Sequence, residues 1–198
     1  MADTSPFEIM AGIFEAYIAP VGEAYPAINV APAGNWVQLG TNRSRNMGEE
    51  GVRILHNQTQ TLFHVLGTTV PVKAFRTQEG LSVSFVLHDL TLEHYARVMD
   101  GATVTDVAAG AGTAGYRHFS FLRGQEVQER AVLVRGDKSP YADTFNTQFE
   151  LYQCVQEGEP ELVFDKGTPA GIRFTFRALY NNSNSNIGRI VAQDAAPV

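Results

Sequence analysis

Five histidines, a single cysteine and several close carboxylate pairs are the residues of this 198-residue chain from which a catalytic or metal site could be built. The histidines, His56, His64, His88, His94 and His118, never fall in the H-x-x-x-H or H-E-x-x-H spacing that puts two imidazoles on one helix face for zinc. His88 and His94 straddle the start of a helix, where neither period brings them together, so the set reads as surface or interface histidines. His88-Asp89 offers two members of a nucleophilic triad, yet no serine sits in a G-x-S-x-G elbow. Cys154, between Gln153 and Val155, reads as a packed strand residue; alone, it excludes an internal disulfide and any multi-cysteine metal site. Glu49-Glu50, the series Glu157, Glu159 and Glu161, and the pair Asp137 and Asp143 could in principle serve glycoside hydrolysis. Each lies beside glycine or proline, and solvated loop charge is the simpler reading.

Two further motifs fail on context. Gly110-Ala111-Gly112-Thr113-Ala114-Gly115 spells G-x-G-x-x-G, but that motif needs a helix opening on its last glycine, and Tyr116 to Phe121 reads as strand. Arg135-Gly136-Asp137 is an adhesion tripeptide in a turn-rich segment, too short to count. No G-x-x-x-x-G-K-[ST] is present. The expectation is a protein with no catalytic residues, no cofactor and no bound metal.

The elements around these residues are mostly strands. Tyr17 to Gly22 reads as a strand running into a turn at Pro20, which lacks a donor N–H. Gly22 to Asn35 is a loop with three turn-forming residues, Pro26, Pro32 and Gly34, and Trp36 to Gly40 alternates as a strand. Asn42 to Gly51 is polar, glycine-punctuated and longer than a hairpin loop of about 2–5 residues, hence a candidate functional loop. Val52 to Leu66 has apolar ends and a wholly polar middle, His56 to Thr61. A continuous strand there would span ~50 Å, so the segment is expected either to bend across two sheets or to turn near Asn57. Strands are expected at Val72 to Thr77, at Leu81 to Leu87 with Leu81, Val83, Phe85 and Leu87 on one face, and at Tyr116 to Leu122, Arg130 to Val134, Thr147 to Val155, Glu161 to Asp165 and Gly171 to Leu179. One helix, over about 91–100, has Asp89 or Thr91 as cap, an apolar face of Leu92, Tyr95, Ala96 and Met99, a Glu93–Arg97 pair, and Gly101 as its stop. Gly101 to Gly115 reads as a flexible loop. Many short strands separated by turns argue for a mainly β, antiparallel sandwich or small barrel with one short flanking α-helix. One domain over 1–180 and an extended C-terminal arm over 181–198, ordered against neighbouring subunits, is the expected organisation.

Composition narrows the partners. With 44 % hydrophobic and 18 % charged residues the chain is globular. Its 15 basic residues are scattered against 21 acidic ones, net −6, so no basic patch marks a nucleic-acid grip. The N-terminus shows no basic signal region, and the run from Phe7 to Val21 is interrupted by Glu8, Glu15, Gly12 and Pro20, unlike a membrane span. Folding in a reducing cytoplasm, with no membrane partner, is the expectation.

The order of elements carries a resemblance. Phe14-Glu15-Ala16-Tyr17-Ile18-Ala19-Pro20-Val21-Gly22, the proline-rich loop, and Asn35-Trp36-Val37-Gln38-Leu39-Gly40 running into the polar loop come first. Gly51-Val52, Gly67-Thr68-Thr69-Val70-Pro71-Val72, and the alternating strand Leu81 to Leu87 before the single helix follow. This order resembles the major tail tube proteins of long-tailed bacteriophages, mainly over residues 7–101 and more loosely to Leu179. The resemblance implies a virion protein made in the host cytoplasm, packed as hexameric rings that stack into a hollow tube. Its partners would be further copies of itself, the tape-measure protein, tail terminator and tail-tip proteins, and DNA passing through without tight binding. Asn42, Arg43, Arg45, Glu49 and Glu50 of the polar loop, with Asn57, Gln58 and Thr59 of the polar run, are the candidate residues facing the lumen or the next ring. A β-sandwich ligand- or carbohydrate-binding module and the tube subunit of a bacterial contractile secretion system are the alternatives.

Overall fold

The structure, a computed structural model, describes residues 12–41 and 45–197. At its centre β7 (Glu129–Gly136) pairs with β1 (Phe14–Pro20) on one side and β8 (Thr147–Gln156) on the other. The two-residue β2 (Val37–Gln38) lies outside β1. Beyond β8 come β9 (Ile172–Ala178), then β4 (Lys73–Leu87), then β3 (Arg53–Phe63), every pair antiparallel. The fold is thus mainly β with one short helix, as the turn spacing predicts.

The sheet curls without closing into a barrel. Leu39 N donates to Ala16 O, while Met47 bridges Leu87 and His88 N donates to Asn46 O, so the chain after β2 crosses from β1 to the end of β4. Inside the curl, Ile18, Val132 and Leu151 of one half meet Val83, Phe85 and Phe174 of the other. Phe85 and Phe174 stack with centroids 5.3 Å apart. Helix α1 (Leu92–Val98) closes the end of the curl reached by Leu87, with Val98 in the core.

The outer face of β1 and β7 is covered by the loop of residues 22–36. Trp36 and Tyr25 pack over Ala19, Ala131 and Leu133. Arg135 of β7 donates to the carbonyls of Ile28 (2.6 Å) and Val30, and Tyr25 Oη donates to Leu151 O at 2.6 Å. Proline and glycine keep this loop out of the sheet; these side-chain bonds fix it in place.

The free edge of β8 is divided. Its last residues, Cys154 to Gln156, pair with β9, while Thr147 to Leu151 pair with β10 (Gly188–Ala192). The reason is burial. Thr147, Gln148 and Glu150 are at most 1 % exposed, and their backbone would lose its partners if that half were left open. Arg189 of β10 donates to Glu150 Oε2 at 2.6 Å, and Gln148 donates to Oε1 at 2.6 Å. The segment expected as an extended arm ordered against neighbouring subunits begins with a turn at 181–186, and its β10 pairs with its own chain's β8 while Ile187 packs on the core.

Several local expectations are corrected. The run from Val52 to Leu66 neither bends across sheets nor turns near Asn57: β3 pairs with β4 throughout, with one bulge between Thr59 and Gln60. The separate strands expected at Val72 to Thr77 and Leu81 to Leu87 are one 15-residue strand continuing through Gly80, where a β-carbon would sit 2.6 Å from Asn57 Oδ1. Gly101 to Gly115 is no shapeless loop but most of a hairpin, β5 (Thr105–Val107) with β6 (Tyr116–His118). The strand expected to Leu122 ends at His118, and Glu161 to Asp165 forms no strand, only a bridge from Asp165 to Thr168. The turn residues Gly158, Pro160, Gly167 and Pro169 crowd that segment too closely for a ladder. No helix among the described residues is long and apolar enough to cross a membrane.

Because β10 completes the β8 edge and neutralises Glu150, truncation after Tyr180 should destabilise the monomer by at least about 2 kcal/mol. That corresponds to a drop of roughly 4–8 °C in Tm for a chain of this size. Thermal unfolding followed by circular dichroism measures it; an unchanged Tm would show that the segment adds nothing to the folded monomer.

Candidate assembly site

The feature that sets this fold apart grows out of β3 and β4. The register pairs Leu87 with Ile172 and Ser82 with Arg177, so β4 runs out of β9 partner near Leu81. The eight residues from Lys73 to Gly80 continue for about 25 Å at strand rise, paired only with β3. Every residue from Leu55 to Glu79 is exposed. The ribbon projects from the end of the sheet opposite α1, since α1 follows Leu87 at the other end of β4.

Its stem and tip differ in chemistry. Across the stem Arg76 Nε donates to Gln58 Oε1 at 2.8 Å, and His56 Nε2 lies 3.1 Å from Glu79 Oε1. These exposed polar pairs add modestly to a ladder that water can reach on both faces. At the tip Leu62, Phe63, Leu66, Val70, Val72 and Phe75 are each at least 49 % exposed, and Leu66 is uncovered altogether. The outer edge of β3, eleven residues long, has no strand beside it among the described residues. A long open edge and an apolar tip on one projection form the pattern that drives strand-to-strand or surface-to-surface association.

The residues singled out in the sequence divide between two places. Asn57, Gln58 and Thr59 lie side by side on the stem, opposite Gly80, Glu79 and Gln78. Glu49 and Glu50 sit at the other end of β4, next to α1, where Gly48 N donates to Val86 O and Glu50 Oε1 is 3.7 Å from Arg173 Nη2. Arg45 lines a cleft there with Ile13, Met47 and Glu49. Asn42 and Arg43 fall outside the described residues. The polar loop and polar run are therefore not one surface. The apolar tip, absent from the sequence candidates, carries a signal of its own there: two apolar runs flanking a glycine turn at the ends of polar stems.

The chemical candidates take structural places. Cys154 is buried in the core, and burial pushes its thiol well above the ordinary range, away from nucleophilic use. His88 Nδ1 is 3.2 Å from Ala170 O. Gly110 to Gly115 is the turn of the β5–β6 hairpin, followed by strand, and has no helix to hold a phosphate. Among the described residues no three His, Cys, Asp or Glu side chains converge in a metal-holding arrangement.

His94 departs from the surface reading. Thr91 caps α1, its side chain accepting from His94 N, while Asp89 takes another job: Thr41 N and Thr41 Oγ1 both donate to its Oδ2, at 2.9 and 2.5 Å. His94 Nε2 lies 3.5 Å from the same oxygen, and Arg97 Nη1 donates to His94 Nδ1 at 2.7 Å. The expected Glu93–Arg97 ion pair does not form; Arg117 of β6 binds Glu93 at 2.8 Å instead. Thr41, Asp89, His94 and Arg97 thus form a chain of contacts tying the helix to the segment after β2. Burial first, and then the Arg97 charge, lower the His94 pKa, against the pull of Asp89. Burial opposes the charge on Asp89, but the Thr41 hydrogen bonds and His94 outweigh it, and its pKa is lowered.

No protein-family profile matches the sequence, and neither does any curated protein. Among solved structures, the chain is similar to one in the cryo-EM structure of the anti-feeding prophage baseplate, six-fold symmetrised. The two are 12 % identical with a TM-score of 0.48, over 96 % of this chain and 97 % of that one. At that level the likeness assigns no role.

The His94 contacts make a signed prediction. The folded chain holds His94 neutral, whereas the unfolded chain protonates it near its ordinary value of 6.5. Its stabilising contribution is complete above that pH and declines as the pH falls below it, towards the lowered folded-state pKa. A second decline follows as Asp89 is protonated below its ordinary 3.8. Tm measured from pH 8 to 3 should show both, with His94→Gln flattening the first and Asp89→Asn the second. Parallel Tm curves for wild type and His94→Gln between pH 7 and 5 would contradict this account.

Proposed function

We propose that this chain is a structural virion protein, the tail tube subunit of a long-tailed phage, stacking as hexameric rings into a hollow tube around a tape-measure protein. The observation that carries the reading is the β3–β4 ribbon, whose eleven-residue edge and apolar tip nothing among the described residues covers. A monomer gains nothing from holding such a surface in water. A subunit that meets its neighbours in a fixed head-to-tail geometry buries it and builds a filament. The order of elements, including the single helix after the alternating strand, resembles that of the major tail tube proteins and supports the reading.

The subunit catalyses no reaction. Its lone cysteine is sealed in the core, and its one buried histidine is spent on a helix anchor. A carbohydrate platform is disfavoured because Trp36, the ring best suited to stack on a sugar, is 7 % exposed and hydrogen-bonded to Ala24 O. Passage of DNA is compatible with the charge: 21 acidic residues against 15 dispersed basic ones leave no cluster to hold a phosphate backbone. The stem residues Asn57, Gln58 and Thr59 are polar and uncharged, a surface suited to face a lumen or the adjoining ring.

Concentrated protein should assemble into regular hollow filaments by negative-stain electron microscopy. The triple variant Leu62→Ser, Leu66→Ser, Phe75→Ser should keep a monomer stability within about 0.5 kcal/mol of wild type, since its sites are exposed, and lose the filaments. The filaments should not retain double-stranded DNA at physiological salt. Wild-type protein that stays monomeric at every concentration, or a triple variant that polymerises normally, would overturn the tube reading.

A further inference from the structure

At the α1 end, away from the ribbon, the molecule carries two clefts that share no lining residue. The first, of about 490 Å³, lies between α1 and the ends of β1 and β2; Arg97 and Arg130 enter it beside apolar walls from Pro20, Val37, Ala102 and Val104. Both guanidinium groups are half-buried, yet among the described residues neither forms an ion pair. Arg97 is turned to His94 and Arg130 to Gln128. Glu93, the carboxylate on the cleft wall, is taken by Arg117, and Asp100 at the helix end offsets only part of the charge on Arg130. Burial, and for Arg97 the neighbouring Arg130 charge, lower the pKa of these groups, the mark of cations held together without a full counter-charge.

The second cleft is bordered by residues 159–169, in the connection from β8 to β9. Glu159, Glu161 and Asp165 make no ion pair among the described residues. Leu162 is packed against the core, which leaves Val163 (59 % exposed) and Phe164 (77 %) facing water beside those carboxylates. The segment is therefore anchored, acidic and apolar, while the first cleft is basic with apolar walls. Both lie at one level of the sheet, since Arg130 pairs with Cys154 only two residues before the end of β8, from which the acidic segment departs. They sit on different flanks, one by β1 and β2 and the other by the end of β4.

We infer that the Arg97–Arg130 cleft receives the segment Glu159–Asp165 of a second copy of this chain, making the side-to-side contact within a ring. This rests on the tube reading and supplies the lateral contact that the projecting ribbon does not. Two different patches on different flanks give a heterologous contact, which repeats around an axis until it closes. The carboxylates supply the counter-charge that the half-buried guanidiniums lack, and Val163 and Phe164 meet the apolar walls.

The test is charge reversal with complementation, read by sedimentation velocity and negative-stain microscopy of the full chain. Arg130→Glu, and separately Glu159→Arg with Glu161→Arg, should each raise the concentration needed for assembly about tenfold or more, because like charges then face each other. An equimolar mixture should assemble again, since the reversed cleft of one variant fits the reversed segment of the other and the unaltered pair still fits. The loop variant lies in exposed residues and checks the result if Arg130→Glu unfolds. Wild-type filaments with variants that assemble equally well, or a mixture no better than either variant alone, would overturn this contact and leave the tube standing. Wild-type protein that never assembles would take down both.

Discussion

A strand that leaves its sheet must find partners for its backbone or stay in water, and this constraint governs the molecule. β3 and β4 meet it for each other, but only along one edge of each. The stem can remain in water because its side chains are polar on both faces: His56, Gln58, Arg76 and Glu79 bond across the ladder, and Asn57 and Thr59 are solvated opposite Gly80 and Gln78. The tip cannot be explained in this way. Two strands alone are marginally stable, so the ribbon depends on the wide sheet in which β4 is rooted through Val83, Phe85 and Leu87. The tip in turn is reasonable only as part of something larger than one chain.

The rest of the fold supplies a rigid base for that projection. The curl of the sheet buries aromatic rings between β4 and β9, while the 22–36 loop seals the opposite face through Trp36 and Tyr25. The least expected element of this base is the division of the β8 edge. Glu150 is 1 % exposed, and a carboxylate there is tolerable because Arg189 and Gln148 both donate to it. Those contacts bind a chain segment more than thirty residues downstream into the sheet. They also set β8 between two partners, β9 and β10, which lets β9 and β4 diverge and aim the ribbon away from the body.

The parts legible in the sequence were those with strong local period. Alternation from Leu81 to Leu87 located the buried face of β4, and the Thr91 cap with Gly101 located α1 within a residue or two. The ribbon was misread because strand-length expectations come from buried strands, whose apolar residues run through; a polar stem on both faces escapes that limit. The glycine- and alanine-rich hairpin carries almost no hydrophobic period, so its pairing could not be read. For β10, Ile187, Ile190 and Val191 were visible, but the buried Glu150 that draws Arg189 to β8 was not. Of the ribbon, the polarity of Asn57 to Thr59 marks the stem in the sequence, whereas the apolar tip reads there as ordinary strand ends. Its meaning depends on exposure, which a sequence does not state. His94 was misplaced for the same reason, since its burial comes from contacts with Asp89 and Arg97 across a turn.

Taken together, the surfaces divide by direction. The ribbon leaves the sheet at one end, along the strands, whereas the basic cleft and the acidic segment lie on different flanks at the other end. A subunit with only the ribbon would string into thin, uncontrolled fibres, as any open edge does. A subunit with only flank contacts would close into flat rings with nothing to stack them. Heterologous contacts in two independent directions generate a cylinder, each contact setting one parameter of its lattice. The chemistry follows the same division. In the proposed tube, the contact along the strands would be apolar and backbone-rich, and so tolerant of salt. The inferred flank contact would rest on a few charges in partly enclosed clefts, where Coulomb attraction is screened less than at an open surface and wrong registers are penalised by like charge.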